Sequence, residues 1–285
     1  MTETKEIATL ENADFVENIG HNFTAILRHD IYSSIDPTKS NLSQPFKVVL
    51  ITGSGRGIGR SIALRYADSG VGCIILCSKT TSELDEVEEA VKARNINVKI
   101  RKLTLDITDD TQVMLAADLV KEEEGRLDVL INNAGVGAQP ALIAESDVDR
   151  YWKIWTNQKK QVDLINMSSD GAHKTHASVS AYQTSKFALL RFTEFVNAEY
   201  GEHGVNCIAV HPGCVLTEMT KRSKALRPLL IDTPELCGCF LVWITKGQRS
   251  WLSGRYLSAT WDVDELEARQ EEIVKGDKLK MRMVV

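Results

Sequence analysis

The feature that most constrains the fold is an apolar run, Val48-Val49-Leu50-Ile51, which passes directly into Thr52-Gly53-Ser54-Gly55-Arg56-Gly57-Ile58-Gly59. An unbroken, β-branched-rich run suits a strand buried on both faces. The glycines permit a tight turn. Ile62, Ala63, Tyr66 and Ala67 then recur at helical spacing, which predicts a helix over 58–69. A helix opening on such a turn offers N–H groups and a positive dipole end to a phosphate. The alternation continues with a strand at Cys73-Ile74-Ile75-Leu76-Cys77 and an acidic amphipathic helix over 82–94. A third strand covers 98–103, and a helix over 109–124 stops at Gly125. Further strands follow at 127–131, 162–167, 204–210 and 255–258. This rhythm predicts a single α/β domain, a doubly wound parallel sheet with right-handed crossovers.

With 285 residues, 43% hydrophobic and 26% charged, the chain can bury a sizeable core. Its net charge of −5 argues against nucleic acid as the main partner. No apolar run approaches the ~20 residues of a membrane span, so no membrane partner is expected. The polar N-terminus lacks a signal-peptide pattern, and a cytoplasmic location is expected. Four of the six cysteines sit inside apolar runs, and Cys237-Gly238-Cys239 is too closely spaced for a usual metal pair. Buried reduced thiols, and no metal, are the expectation. Residues 1–46 read as an N-terminal extension: a frayed tail, a short helix and a lead-in that packs on the domain without chemistry. Residues 47–260 form the α/β domain, and 261–285 a surface helix and tail around Leu266, Ile273 and Leu279.

Tyr182-Gln183-Thr184-Ser185-Lys186 places a phenol and an ammonium one helical turn apart. The ammonium can lower the phenol's pKa from ~10. The phenol can then exchange a proton with an alcohol or carbonyl oxygen. Taken alone, this spacing equally suits a solvated helix face. Ser169, at the end of the run 162–167, can donate to the same oxygen. Asn132-Asn133-Ala134-Gly135 ends another strand. In this order, from about Lys47 to Tyr256, the four stretches resemble the short-chain dehydrogenase/reductase family. The lead-in His29-Asp30-Ile31-Tyr32 is similar to that of its fungal branch.

The resemblance implies a Rossmann-like fold and a set of roles. Tyr182 is the general acid in reduction or base in oxidation. Lys186 lowers its pKa and holds the nicotinamide ribose, and Ser169 polarises the substrate oxygen. Hydride passes between nicotinamide and a carbonyl carbon. The glycine run departs from G-x-G-x-x-G. With Thr52, Gly53, Gly57, Ile58 and Gly59 it matches the family's T-G-x-x-x-G-x-G. Asn132, Ala134 and Gly135 line the cofactor, and Asp106 contacts adenine, its other reading being a helix cap. Val215 and Thr217, after His211-Pro212-Gly213-Cys214, face the carboxamide and phosphates, and 218–236 form a substrate lid. His173, His176 and Cys214 are given no role. An NAD site usually carries Asp or Glu at the end of the second strand. Here that strand ends in Cys77-Ser78-Lys79-Thr80, with no carboxylate until Glu83. A 2′-phosphate would meet Lys79, with Arg56 as a second candidate, which favours NADP(H) over NAD(H).

The pattern breaks after Gly135. Residues 145–156 supply the first half of a helix that the family carries at full length, and the polar Asn157-Gln158-Lys159-Lys160-Gln161 then runs into the next strand. Asn157 is either the family's proton-relay Asn or, the preferred reading, a polar loop residue. The chain is either a genuinely shortened relative or an intact enzyme whose sequence lost a segment at splicing or in gene prediction. A homodimer is expected, weakened because Phe187, Leu190, Phe195 and Val196 lose a neighbour. The function expected is NADP(H)-dependent hydride transfer to a small carbonyl or secondary-alcohol substrate, as a tailoring step in fungal secondary metabolism. The alternative is a catalytically impaired nucleotide-binding partner or subunit.

Overall fold

The computed structural model describes residues 20–135, 162–176, 179–222, 226–247 and 249–283. One sheet holds seven strands: β1 (Val48–Thr52), β2 (Cys73–Ser78), β3 (Lys99–Thr104), β4 (Val129–Asn132), β5 (Val162–Met167), β6 (Val205–His211) and β7 (Arg255–Ser258). Their order is β3-β2-β1-β4-β5-β6-β7 and every pairing is parallel. The doubly wound α/β sheet expected from the alternation is the fold observed.

Side chains along a strand alternate between faces, and the helices divide accordingly. Val49, Ile51, Ile74, Leu76, Ile131 and Ile165 pack with α1 (Gly57–Asp68), α2 (Thr81–Arg94) and α5 (Pro234–Lys246). On the opposite face, Val48, Cys73, Ile75 and Cys77 meet α3 (Asp110–Glu124). Leu130, Leu164 and Cys207 meet α4 (Ser180–Tyr200) there. All six cysteines are free, and five are buried.

The sequence reading needs correction at two places. Helix α5 was not anticipated. Every residue from Leu236 to Thr245 is buried, and a helix apolar all round leaves no period to detect. Gly238 lets it approach α1, because a Cβ there would lie 2.6 Å from Arg65 Cγ. Residues 262–280 do not form a surface helix. Two short helices, α6 (Val263–Ala268) and α7 (Gln270–Lys275), bury Val263, Leu266 and Ile273 in the main core, with Leu279 and Met281 packed on it. Their charged residues occupy the outer side and hid the inward triplet. The short helix expected within residues 1–46 is not tested, because residues 1–19 lie outside the described residues; from residue 20 to 46 the chain carries the 3-10 turns Ser33–Ile35 and Ser40–Leu42. Phe23, Leu27, Ile31 and Tyr32 from this stretch pack against the core.

The helix expected over 145–156, with Asn157, lies outside the described residues. The apolar face of α4 is smaller than expected: Leu190 and Val196 are buried, while Phe187 and Phe195 remain 42% and 56% exposed. Among the described residues no helix is long and apolar enough to cross a membrane.

Candidate active site

In the sheet order β1 lies between β2 and β4, so successive crossovers leave in opposite directions and open a crevice at the strands' carboxyl ends. Thr52 ends β1 there. Its hydroxyl donates to the Ile131 carbonyl at 3.2 Å and accepts from the N–H groups of Asn133 and Ala134, each at 3.0 Å. Asn133 Nδ2 donates to the carbonyls of Thr52 (2.9 Å) and Gly53 (3.2 Å). The glycine turn and the segment 132–135 are therefore stitched together. Asn133, central to this stitching, had no assigned role in the sequence. Gly53 sits at φ +65, and a Cβ on it would lie 2.9 Å from Ala134 Cα. A Cβ on Gly59 would press on the Gly53 carbonyl and on Asn133 Nδ2. The turn is a cradle that only glycine permits, as a pyrophosphate approaching bare backbone requires.

Thr217 reaches this cradle, since a Cβ on Gly57 would lie 3.9 Å from its methyl carbon. The Thr217 hydroxyl meets that of Thr220 at 3.1 Å. Val215 is buried and bridges Asp232. Ile58 packs on the core, and Gly135 is exposed at the mouth. Asn132 Nδ2 donates to Asn166 Oδ1, and Asn166 Nδ2 to Thr193 Oγ1, each at 3.0 Å, which ties β4 through β5 to α4.

At the end of β5, Ser169 caps the short turn Asp170–His173, its hydroxyl accepting from the Gly171 N–H at 3.0 Å. Tyr182 lies in the first turn of α4. A Cβ on Gly171 would lie 3.2 Å from Ser169 Oγ and 3.4 Å from Tyr182 Cε1, so the ring and the hydroxyl share one wall. Lys186 Nζ lies 5.9 Å from the Tyr182 ring centroid and donates to the Met167 carbonyl at 2.7 Å. Ser169, Tyr182 and Lys186 thus converge, as their spacing suggested. Their electrostatics differ from expectation. Burial raises the Tyr182 phenol, opposed by a hydrogen bond with Ser169, and burial lowers Lys186. Desolvation is the largest cause of both shifts, and each shift favours the neutral form.

Behind the site, atoms of Asp170, His211 and Cys214 capable of holding a metal lie within 4.8 Å of one another. Asp170 is already paired with Lys174 and accepts from Ser169 at 3.3 Å. The Cys214 thiol is pushed up to about 11, by burial first and then by Asp170 and Asp232. The lead-in does more than cover a flank. His29 pairs with Asp232, the Thr233 N–H donates to the His29 carbonyl at 2.9 Å, and the Thr233 hydroxyl donates to Asp30 at 2.7 Å. Asp232 also accepts from the Cys214 N–H. The extension thereby straps the far end of the loop that follows Thr217. No local pattern announces pairs some 200 residues apart.

His173 and His211 face this wall with Nε2 and Nδ1, respectively, buried and unpartnered. Burial lowers both, His173 from 6.5 to about 4. Between these two values the unfolded chain binds a proton that the folded chain refuses, so stability falls as pH drops through the window. The melting temperature is expected to decline from about pH 6.5 towards pH 4, and His173→Gln to flatten that decline. A melting temperature indifferent to pH over this range would contradict the assignment.

Comparison with known proteins agrees with this geometry. A family model described as short chain dehydrogenase matches residues 47–157 and 151–227. The short chain dehydrogenases mpl6 of Monascus purpureus and citE of Monascus ruber are each 38% identical, covering 95% of this chain and 99% of theirs. The chain belongs to the short-chain dehydrogenase family. It is an oxidoreductase of the fungal type, in a family that uses a nicotinamide cofactor. The short chain dehydrogenase andI of Emericella variicolor is 34% identical over 93% of the chain and 97% of its own length. The family match falls into two pieces that meet at 151–157, where the sequence pattern breaks. The alignment with citE spans 294 positions, more than this chain has residues, so the relative holds residues absent here. The fold also matches a 7α-hydroxysteroid dehydrogenase solved with NADH (TM-score 0.68, 20% identity, 81% of this chain and 97% of that one). L-sorbose reductase of Gluconobacter frateurii, solved with NADPH, matches at TM-score 0.65 and 21% identity, over 76% of this chain and 96% of the other.

Proposed function

We propose that this chain is an NADP(H)-dependent reductase or dehydrogenase acting on a small carbonyl or secondary-alcohol substrate, with Ser169, Tyr182 and Lys186 as its catalytic residues. The observation that carries the reading is the convergence of these three side chains, at the carboxyl end of β5, in the crevice that also holds the glycine cradle. The cradle's stitched turn and bare backbone fit a dinucleotide, with Thr52, Gly53, Gly57, Ile58, Gly59, Asn132, Ala134, Gly135, Val215 and Thr217 around it. A bound nicotinamide would supply or accept hydride.

The protein's own part is positioning and proton movement. A phenol raised by burial keeps its proton at neutral pH, which suits Tyr182 to protonating a carbonyl oxygen as reduction proceeds. Ser169, held by the Gly171 N–H, donates its hydrogen to Asp170 at 3.3 Å and would turn it from that carboxylate to the same substrate oxygen. Lys186, anchored on the Met167 carbonyl, presents its remaining N–H bonds beside the phenol. The fungal sources of the relatives support a tailoring step in secondary metabolism.

The NADP(H) preference rests on Lys79 at the end of β2, where no strand residue is acidic, and on Arg56 in the glycine turn. NADPH is expected to bind more tightly than NADH, and Lys79→Asp to erase or reverse the difference. Tighter NADH binding to the unaltered protein would defeat it. The residues missing near 151–157 favour a second reading, a nucleotide-binding partner with little turnover. Cofactor oxidation across a panel of aldehydes and ketones separates the two readings.

A further inference from the structure

The end of β2 is not the positive pocket that its sequence suggests. Lys79 Nζ is 2.6 Å from Asp106 Oδ2, and that carboxylate is bound further by the Thr108 N–H and hydroxyl. Glu83, in the first turn of α2, turns back over the glycine turn. Its Oε2 accepts from Ser78 Oγ at 3.1 Å and lies 2.5 Å from where a Cβ on Gly55 would stand. Its Oε1 is 3.7 Å from Arg56 Nη1. Ser78 Oγ accepts from the Thr80 N–H, which leaves its own proton for Glu83. Two cations therefore face two carboxylates, and each cation already has a partner.

We propose that Glu83 is the specificity-determining residue of the nucleotide site, a resident anion that holds the position a ribose 2′-phosphate would take. The inference rests on the NADP(H) reading above. The position gathers what a phosphate seeks: the Arg56 guanidinium, an oriented hydroxyl, and the positive end of α2. A carboxylate on Ser78 and Arg56 uses those same donors. A 2′-phosphate must displace it and then sit near its charge, whereas a free 2′-hydroxyl need not. Glu83 thus reduces the margin by which Lys79 and Arg56 favour the phosphorylated cofactor. It makes the chain tolerant of both nucleotides where its β2 end alone predicts a clear preference for the phosphorylated one.

The test is binding, read by calorimetry without substrate, with 2′,5′-ADP, 5′-AMP, NADPH and NADH as probes. Glu83→Gln keeps the shape and removes the charge. It is expected to tighten 2′,5′-ADP and NADPH by about tenfold or more, with 5′-AMP and NADH changed by less than about threefold. The gain should shrink in the Arg56→Gln background, where the donor shared by carboxylate and phosphate is gone. If Glu83→Gln instead weakens 5′-AMP and NADH, Glu83 is a ribose-hydroxyl acceptor and the proposal is overturned. If no probe responds to Glu83→Gln, the proposal also fails, and the cofactor reading survives only if Lys79→Asp still weakens 2′,5′-ADP. If neither substitution affects 2′,5′-ADP, both the proposal and the NADP(H) reading fall.

Discussion

Replacing Tyr182 with Phe is expected to lower turnover by about 10²–10⁴-fold, the range that general acid–base catalysis supplies. The substitution deletes one hydroxyl, and the ring keeps its place beside Gly171 and Ser169. Melting temperature and nucleotide affinity should therefore stay near those of the unaltered protein. Ser169→Ala is expected to impair turnover less, because it removes a polarising donor and leaves the proton source. The pH dependence has a definite sign. Because burial raises the phenol, the protonated form required for reduction persists through neutrality. Oxidation needs the phenolate and should accelerate as pH rises, a slope that Tyr182→Phe should abolish. A loss below about tenfold, or an unchanged slope, would remove Tyr182 from the role.

The elements that this prediction relies on were readable for identifiable reasons. Ser169, Tyr182 and Lys186 lie within one strand–helix unit, so spacing alone brings them together. The strands were readable because burial on both faces leaves unbroken apolar runs. What stayed hidden acts across the chain or carries no period. Asn133 works by reaching back some 80 residues to Thr52 and Gly53. Asp232 matters through His29, 203 residues away, and through the Cys214 backbone, 18 residues away. Lys79 read as a cation for a 2′-phosphate until folding set Asp106 against it, and Glu83, read only as the first carboxylate beyond the strand end, turns its carboxylate onto Ser78. Helix α5, apolar on every side, offered no pattern to separate it from a strand or a lid.

The glycine cradle gives the second large effect, through structure first and binding second. A Cβ introduced by Gly59→Ala would stand 2.6 Å from Asn133 Nδ2 and 2.9 Å from the Gly53 carbonyl carbon, with the carbonyl oxygen nearer still. Neither obstacle is the loose end of a flexible side chain. The backbone of the turn must open, and the two Asn133 hydrogen bonds that close it must break. Overpacking of this kind costs ~1–3 kcal/mol, and each lost hydrogen bond about 1 more. The expected outcome is a melting temperature lowered by roughly 5–15 °C. On the proposed reading, nucleotide binding should become undetectable, because the N–H groups that would face the phosphates no longer share one orientation. Gly135→Ala is the matched comparison. Among the described residues a Cβ there meets nothing closer than the Asn133 carbonyl oxygen at 3.9 Å, so the fold should be untouched. Affinity for the nucleotide should then fall only if the cofactor lies against that residue. If Gly59→Ala melts and binds like the unaltered protein, the turn has slack that its contacts do not show, and the cradle assignment fails.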